Sequence, residues 1–116
     1  MEIPINEDFK IKVAGVTYEN RQDTIKDLNE VIDELELIRE PSNQYDENAI
    51  KIIIKESNID IGYVPRNVAK VLAPIMDSGE YEIQVTDCLK KQGKHTSIGV
   101  ELLLRVKPKN YNLTHY

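Results

Sequence analysis

The chain has 116 residues, of which 41% are hydrophobic and 30% are charged, a balance typical of one globular domain rather than a disordered chain. A net charge of −5 argues against a protein that coats DNA regardless of sequence, since such proteins are basic. One cysteine excludes an internal disulfide framework, and the two histidines stand apart without the spacing of zinc ligands. We therefore expect neither a metal nor a cofactor.

The N-terminal segment MEIPINEDFK is acidic and has no apolar stretch, so it does not resemble a secretory signal peptide. No apolar run approaches the ~18 residues that a membrane-spanning helix needs. We expect a cytoplasmic protein that does not bind a membrane. Residues 1–8 and 107–116 are expected to be tails, which leaves residues 9–106 as the folded domain.

The first segments predict a strand and a helix. FKIKVAGV alternates between apolar and polar residues, which is typical of a half-buried strand. TYENRQDTIKDLNEVI has apolar residues at helical spacing, with Asn20 as the candidate N-cap. The side chains expected to face the core are Phe9, Ile11, Val13, Ile25, Leu28 and Ile32.

Three further strands are predicted in the middle of the chain. ELELIRE ends at Pro41, because proline cannot donate a hydrogen bond to a sheet. AIKIIIKE is rich in β-branched residues, and IDIGYVP returns after the short SN turn as its hairpin partner. The side chains expected to face the core are Leu35, Leu37, Ile50, Ile52 and Ile54, with Ile53 on the opposite face.

A second helix and two last strands complete the pattern. RNVAKVLAPIMDSG has one apolar helical face, which Pro74 is expected to kink or split and Gly79 to end. YEIQVTDCL and SIGVELLLR are predicted strands around the loop KKQGKHT, and Cys88 is expected to be a small core residue. The helical face consists of Val68, Val71, Leu72, Ile75 and Met76.

This order predicts a mainly β fold of the α+β class, with six short strands and two small helices. Six short strands in about 100 residues favour a small barrel, closed or half-closed, in which the helices cover the open edges. Acidic residues concentrate in residues 19–47 and basic residues in residues 88–109. This asymmetry is consistent with two solvated surfaces of opposite sign or with a basic end that faces an anion.

No enzymatic motif is present. QGKHTS lacks the glycine spacing of a phosphate-binding loop, and no serine or threonine directly follows its lysine. Neither a GxSxG nor an HExxH motif occurs. Carboxylates are plentiful, but no spacing selects a catalytic pair. We therefore expect a protein that is not an enzyme, with a nuclease or another hydrolase as the remote alternative.

Three segments, VAGVTYENRQ, REPSNQYDENAI and IGYVPRNVAKVLAPIMDSG, resemble the HIRAN domain in their order and spacing, over about Phe9 to Arg105. The resemblance implies a modified OB-type barrel that grips the 3′-hydroxyl end of single-stranded DNA. HIRAN domains usually accompany DNA-remodelling ATPases or stand alone in bacteria and phage. A helicase or a nuclease is therefore the candidate protein partner, and any ATPase activity or zinc site would belong to such a neighbour.

The resemblance assigns the first DNA-binding residues by motif. Tyr18 matches the first aromatic of the family. Tyr45 and Asp46 match the second aromatic and its acid, and Asn43 and Asn48 lie beside them.

Other positions differ from an animal member of the family. Tyr63 and Arg66 stand where that protein has histidine and lysine, and Thr17 replaces an arginine. The animal protein also has an aromatic residue on its penultimate strand, and this residue has no clear counterpart in the present sequence. We expect phosphate contacts from Arg66, with Lys70 or Lys94 as further candidates.

The loop residues suit the reading of a strand end. A carboxylate such as Asp46 repels phosphate, but at a free 3′ end it meets a hydroxyl that can donate a hydrogen bond. Structural alternatives remain for each residue. Asp46 and Asn48 are common turn formers, Tyr45 could cover the barrel, and Tyr18 could be a core residue. Tyr63, at a strand end, could be structural, and Arg66 could be a solvated surface residue. Arg66 precedes a helix, where a bound phosphate would offset the unfavourable dipole.

The sequence thus predicts a non-enzymatic module that binds a single-stranded DNA end. A protein-interaction adaptor without DNA binding is the alternative, motivated by the acidic segment at residues 19–47. The sequence predicts no oligomeric state.

Overall fold

The structure is a computed structural model that describes residues 1–93 and 97–109 of the chain. The six strands and two helices follow in the predicted order, so the mainly β, α+β class is confirmed. The elements are β1 (Asp8–Lys12), α1 (Arg21–Asp27), β2 (Leu35–Arg39), β3 (Ile50–Ile54), β4 (Ile59–Tyr63), α2 (Arg66–Asp77), β5 (Tyr81–Gln92) and β6 (Ile98–Pro108).

The strands form two antiparallel three-stranded sheets, with the orders β1-β6-β5 and β2-β3-β4. Their registers place Ile11 opposite Leu102 and Leu37 opposite Ile52, so apolar side chains line the inner face of each sheet. Backbone hydrogen bonds also hold the segments at both ends of the domain. Asn6 N donates to Val106 O at 2.8 Å, and Lys109 N donates to Glu80 O at 2.9 Å.

The barrel does not close, so of the two predicted forms, closed and half-closed, the closed one is wrong. Within the described residues, the backbone pairing between the two sheets is one isolated bridge, in which Ala14 and Tyr63 exchange hydrogen bonds of 2.8 and 2.9 Å. Gly15 follows with a φ of 75° and turns the chain away, so the ladder stops after one pair. Gly62 permits this junction, because a Cβ at that position would collide with the Ala14 carbonyl.

The core lies between the two sheets and the helices. α1 lies against β4 and α2 lies against β5, so each helix covers an edge strand. Cys88 belongs to this core as predicted, and burial raises the pKa of its thiol to about 11. Fully buried aliphatic side chains come from both sheets and both helices: Ile25, Ile50, Ile52, Ile61, Leu72, Val100, Leu102, Leu104 and Val106.

Helix α1 is shorter than predicted. It ends at Asp27, and Ile32, which was expected on its buried face, is 75% exposed. The side chain of Asn29 accepts hydrogen bonds from the backbone N–H groups of Val31 and Ile32 at 3.0 and 3.1 Å, which favours a turn over a further helical turn. Asn20 occupies the N-cap position as predicted, but its side chain makes no capping hydrogen bond.

Helix α2 runs through Pro74 without a break, so the predicted split is wrong, and the alternative, a kink at Pro74, stays a prediction. Pro74 is exposed, while Val68, Leu72 and their small neighbours Ala69 and Ala73 form the buried face. Gly79 follows the helix with a φ of 73°, as the sequence predicted for its end. Neither helix of the described part of the chain is long and apolar enough to cross a membrane.

Candidate nucleic-acid interface

A groove of about 730 Å³ opens where three connections meet: the β1–α1 segment, the β2–β3 loop (residues 40–49) and the β4–α2 junction. Most of the predicted site residues lie in it, although they are far apart in the sequence. Its lining is Ala14, Gly15, Tyr18, Glu19, Arg21, Asn43, Tyr45, Asp46, Ala49, Tyr63, Val64 and Arg66. Of the predicted residues, Asn48 and Lys70 do not line it, and Lys94 lies outside the described residues.

Two aromatic rings stand exposed at this groove. Tyr18 is 69% exposed and Tyr45 is 79% exposed, so neither ring is part of the core. The alternatives in which Tyr18 is a core residue and Tyr45 covers the barrel are therefore wrong. Exposed phenol rings of this kind can stack on unpaired bases.

The 40–49 loop is held by its own side chains. Asn43 Oδ1 accepts hydrogen bonds from the N–H groups of Tyr45 and Asp46, at 2.9 and 3.1 Å. Asp46 Oδ1 accepts one from the N–H of Asn48 at 2.9 Å. One of the two carboxylate oxygens of Asp46 therefore stabilises the turn, as the turn-forming interpretation predicted. Asn48 takes part in this turn through its backbone N–H.

The other Asp46 oxygen, Oδ2, lies 3.5 Å from Arg66 Nε. The Arg66 guanidinium also donates a hydrogen bond from Nη2 to the Tyr45 carbonyl at 2.6 Å. Arg66 is the first residue of α2, where the helix dipole disfavours a positive charge. The sequence analysis expected a bound phosphate to offset this positive charge. In the free protein, the carboxylate of Asp46 offsets it instead.

Tyr63 lines the groove and is hydrogen-bonded to Glu40, at the start of the 40–49 loop. The Tyr63 hydroxyl donates to Glu40 Oε1 at 2.6 Å, and burial together with this bond raises the pKa of the phenol to about 12. Glu40 also accepts a hydrogen bond from Asn43 Nδ2 at 3.1 Å and pairs with Lys51 Nζ at 3.2 Å. Partial burial alone raises the pKa of Glu40, but these partners outweigh it and hold that pKa below its ordinary value.

Arg21 is a groove residue that the sequence analysis missed. It is only 8% exposed, and its Nε donates to Asp60 Oδ1 at 2.7 Å while Nη1 donates to the Gly15 carbonyl at 2.9 Å. The guanidinium lies over the Tyr63 ring, 5.4 Å from its centroid. No local pattern could reveal this role, because Arg21 and Asp60 are 39 positions apart.

The groove therefore combines two exposed rings, two carboxylates (Glu19 and Asp46) and two guanidinium groups. Lys70 lies one helical turn beyond Arg66 and is exposed. Within residues 1–93 and 97–109, no group of three histidine, cysteine, aspartate or glutamate residues could hold a metal ion. The arrangement can stack bases and contact phosphate, while Asp46 and Glu19 place negative charge beside these contacts.

Comparison with known proteins identifies relatives at the level of the domain. A crystal structure of a protein from Lactobacillus plantarum is 30% identical with a TM-score of 0.66, and the match covers 88% of this chain and 94% of that one. The HIRAN domain of human HLTF shares the fold, with 22% identity and a TM-score of 0.57 over 86% of this chain and 76% of that one. A Fanconi-associated nuclease 1 homolog of Arabidopsis thaliana is 33% identical over 78 residues, which are 66% of this chain and 8% of that protein.

The chain spans between 4% and 8% of the length of the curated relatives that it matches. The family model for the HIRAN domain matches residues 6–107, which is nearly the whole described part of the chain. The chain therefore belongs to the HIRAN domain family, whose members are nucleic-acid-binding modules.

Proposed function

We propose that this protein binds the 3′-hydroxyl end of single-stranded DNA in the groove between Tyr18, Tyr45 and Arg66, as a module without catalytic activity. The observation that carries the proposal is the placement of two exposed rings, 69% and 79% accessible, at one groove that also contains a cation and a carboxylate. Rings hold unpaired bases of any sequence, and the charged groups sense where the backbone phosphate is present or missing.

Stacking alone is too weak for this function. Two stacked bases contribute about 2–6 kcal/mol in all, at roughly 1–3 kcal/mol each. A micromolar complex needs about 8 kcal/mol net, and the loss of rigid-body freedom costs at least ~4 kcal/mol. Phosphate contacts must supply the remainder. Arg66 is the natural source, because its side chain is 75% exposed and its ion pair with Asp46 is long.

Asp46 is the residue that would distinguish a strand end from a continuous strand. Its Oδ1 is used by the loop, while Oδ2 faces the Arg66 guanidinium. A terminal hydroxyl can donate to Oδ2 while Arg66 turns to the nearest phosphate. A 3′-phosphate at the same position would be repelled by the carboxylate. A hydrogen bond to a charged group contributes roughly 1.5–3 kcal/mol, which corresponds to about 10- to 150-fold in affinity.

Fluorescence anisotropy with 5′-labelled ten-nucleotide strands tests the proposal. We expect the 3′-hydroxyl strand to bind at least about tenfold more tightly than the same strand with a 3′-phosphate, and Asp46→Asn to reduce this difference. Asp23→Asn is the matched control, because it removes the same charge from an exposed position outside the groove. Equal binding of the two strands by the unchanged protein would refute end recognition.

The relatives support a proposal about the wider role. One relative is named as a Fanconi-associated nuclease 1 homolog, so a nuclease or a helicase is the proposed partner, and DNA repair is the proposed context. In such a pair this domain would hold the DNA end while the partner supplies the chemistry. A cytoplasmic location stays a prediction from the sequence.

A further inference from the structure

A second surface of the molecule is apolar and lies apart from the groove. The segment between α1 and β2 exposes Val31 and Ile32 to the extent of 93% and 75%, and Ile59 at the start of β4 is 50% exposed. We call Val31 and Ile32 the apolar tip. Large aliphatic side chains exposed side by side lose hydrophobic stabilisation that burial would provide, so such a patch indicates a contact surface.

The apolar tip is held in a defined conformation. Asn29 Oδ1 accepts hydrogen bonds from the N–H groups of Val31 and Ile32, at 3.0 and 3.1 Å. Asp33 closes the same turn, because its Oδ2 accepts from Asn29 N at 2.8 Å and its own N–H donates to the Asn29 carbonyl at 3.0 Å. Glu30 anchors the turn to β5 by accepting a backbone N–H at 2.8 Å. A partner would therefore meet a preformed tip, which lowers the entropic cost of binding.

An acidic cavity adjoins the tip. It has a volume of about 290 Å³, and Leu28 and Asp33, on either side of the tip in the sequence, both line it. Its apolar floor also includes Ile54 and Ile59, and the remaining lining is Asp23, Thr24 and Asp27. Among the described residues, neither Asp23 nor Asp27 has a basic side chain within 4.0 Å. The cavity thus combines an apolar floor with two carboxylates, Asp23 and Asp27, that form no ion pair within the described residues.

We propose that the apolar tip and this cavity together bind a basic, amphipathic segment of a partner protein. Such a segment would place aliphatic side chains on Val31 and Ile32 and lysine or arginine side chains against Asp23 and Asp27. The acids disfavour the other occupants: nucleic acid and anionic lipid carry the same sign of charge, and a second copy of this chain would bring two acidic rims together. This surface does not depend on DNA binding, since it shares no residue with the groove.

Nuclear magnetic resonance titration of the whole chain with a synthetic peptide tests the proposal. The probe is an 18-residue helical peptide with leucines on one face and lysines on the other, and a peptide with glutamates in place of the lysines is its control. We expect amide shifts at residues 28–34 and 59 with the lysine peptide alone. Val31→Ser with Ile32→Ser should weaken binding at least about tenfold, since each aliphatic side chain contributes about that factor when buried. Asp23→Asn with Asp27→Asn should weaken it and reduce its salt dependence.

Two controls keep the outcome decisive. Leu89→Ser changes an exposed apolar side chain on β5, and it should leave peptide binding unchanged. The tip variant should keep its melting temperature and its affinity for DNA, because both side chains are exposed. Equal binding of the two peptides, or full binding by the tip variant, would overturn the proposal. Two other results would also overturn the proposal. The first is a dimer in sedimentation that the tip variant abolishes, and the second is flotation with phosphatidylcholine vesicles that the tip variant abolishes.

Discussion

The guanidinium of Arg66 lies 3.5 Å from the carboxylate of Asp46, so these two charges of the groove offset each other in the free protein. Arg66 is also held by the Tyr45 carbonyl at 2.6 Å, which links the pair to one of the exposed rings. Exposed ion pairs contribute only about 0–1 kcal/mol, so a phosphate can compete for Arg66 at little cost. A DNA end would then release Asp46 Oδ2 to accept a hydrogen bond.

The exposed rings should matter for binding and not for stability. We expect Tyr45→Ala and Tyr18→Ala each to weaken binding of single-stranded DNA by about 1–3 kcal/mol, which is roughly 5- to 150-fold. Anisotropy titrations measure the affinity, and urea unfolding should show little change, since both rings are largely exposed.

Phenylalanine variants serve as the control for these rings. Tyr45→Phe and Tyr18→Phe keep the aromatic face and should keep most of the affinity. If the alanine and phenylalanine variants bound DNA equally weakly, the tyrosine hydroxyl groups rather than ring stacking would account for the binding.

Arg66 should account for part of the salt dependence of binding. For single-stranded DNA, each neutralised phosphate contributes about −0.7 to the slope of log affinity against log salt. We therefore expect Arg66→Ala to make the slope shallower by about 0.7, measured in sodium chloride titrations. Arg105→Ala is the matched control, because Arg105 also pairs with an aspartate but does not line the groove. An unchanged slope in Arg66→Ala would remove Arg66 from the phosphate contacts.

Arg21 should stabilise the groove wall. Arg21→Met leaves the Asp60 carboxylate and the Gly15 carbonyl without their donor, so we expect the free energy of unfolding to fall by about 1–3 kcal/mol in urea denaturation. Arg105→Met breaks an ion pair of similar length, 2.8 Å, but its side chain is 40% exposed against 10% for Arg21. It should therefore cost only about 0–1 kcal/mol. If both variants lost the same free energy of unfolding, the burial of Arg21 would not strengthen its contribution to stability.

Tyr63 should make stability fall at high pH. Its folded-state pKa of about 12 lies above the ordinary value of about 10, so the folded protein holds the phenolic proton more tightly than the unfolded chain does. This contribution is fully present below about pH 10 and is lost as the pH rises towards 12. Tyr63→Phe should lower the free energy of unfolding by about 1 kcal/mol at pH 7, because the hydrogen bond to Glu40 is missing. Between about pH 10 and 12, the stability of this variant should fall less steeply than that of the unchanged protein.

Urea unfolding at several pH values measures this effect, and absorbance at 295 nm follows the phenol directly. Tyr81→Phe is the control, since its hydroxyl makes no hydrogen bond within the part of the chain that the structure describes. If the unchanged protein and Tyr63→Phe showed parallel pH profiles, the raised pKa of Tyr63 would be wrong.

Local pattern in the sequence determined the elements and the family. Alternation predicted that Ile11, Val13 and Leu37 face the core, and all three are buried. Three motifs in register placed Tyr18, Tyr45 and their neighbours in one family, because turn chemistry and side-chain period are encoded over a few residues. The predicted length of the first helix was wrong, because a turn at Asn29 takes up residues that the helical pattern included.

Only the tertiary structure decided which side chains meet. Arg21 and Asp60, like Glu40 and Tyr63, lie far apart in the chain, and they come together because the two sheets touch at Ala14 and Gly62. The turn at Gly15 also decided that the strands do not close a barrel. Such contacts depend on strand register and on the direction of the chain over the whole fold. A pattern over a few residues determines neither of them.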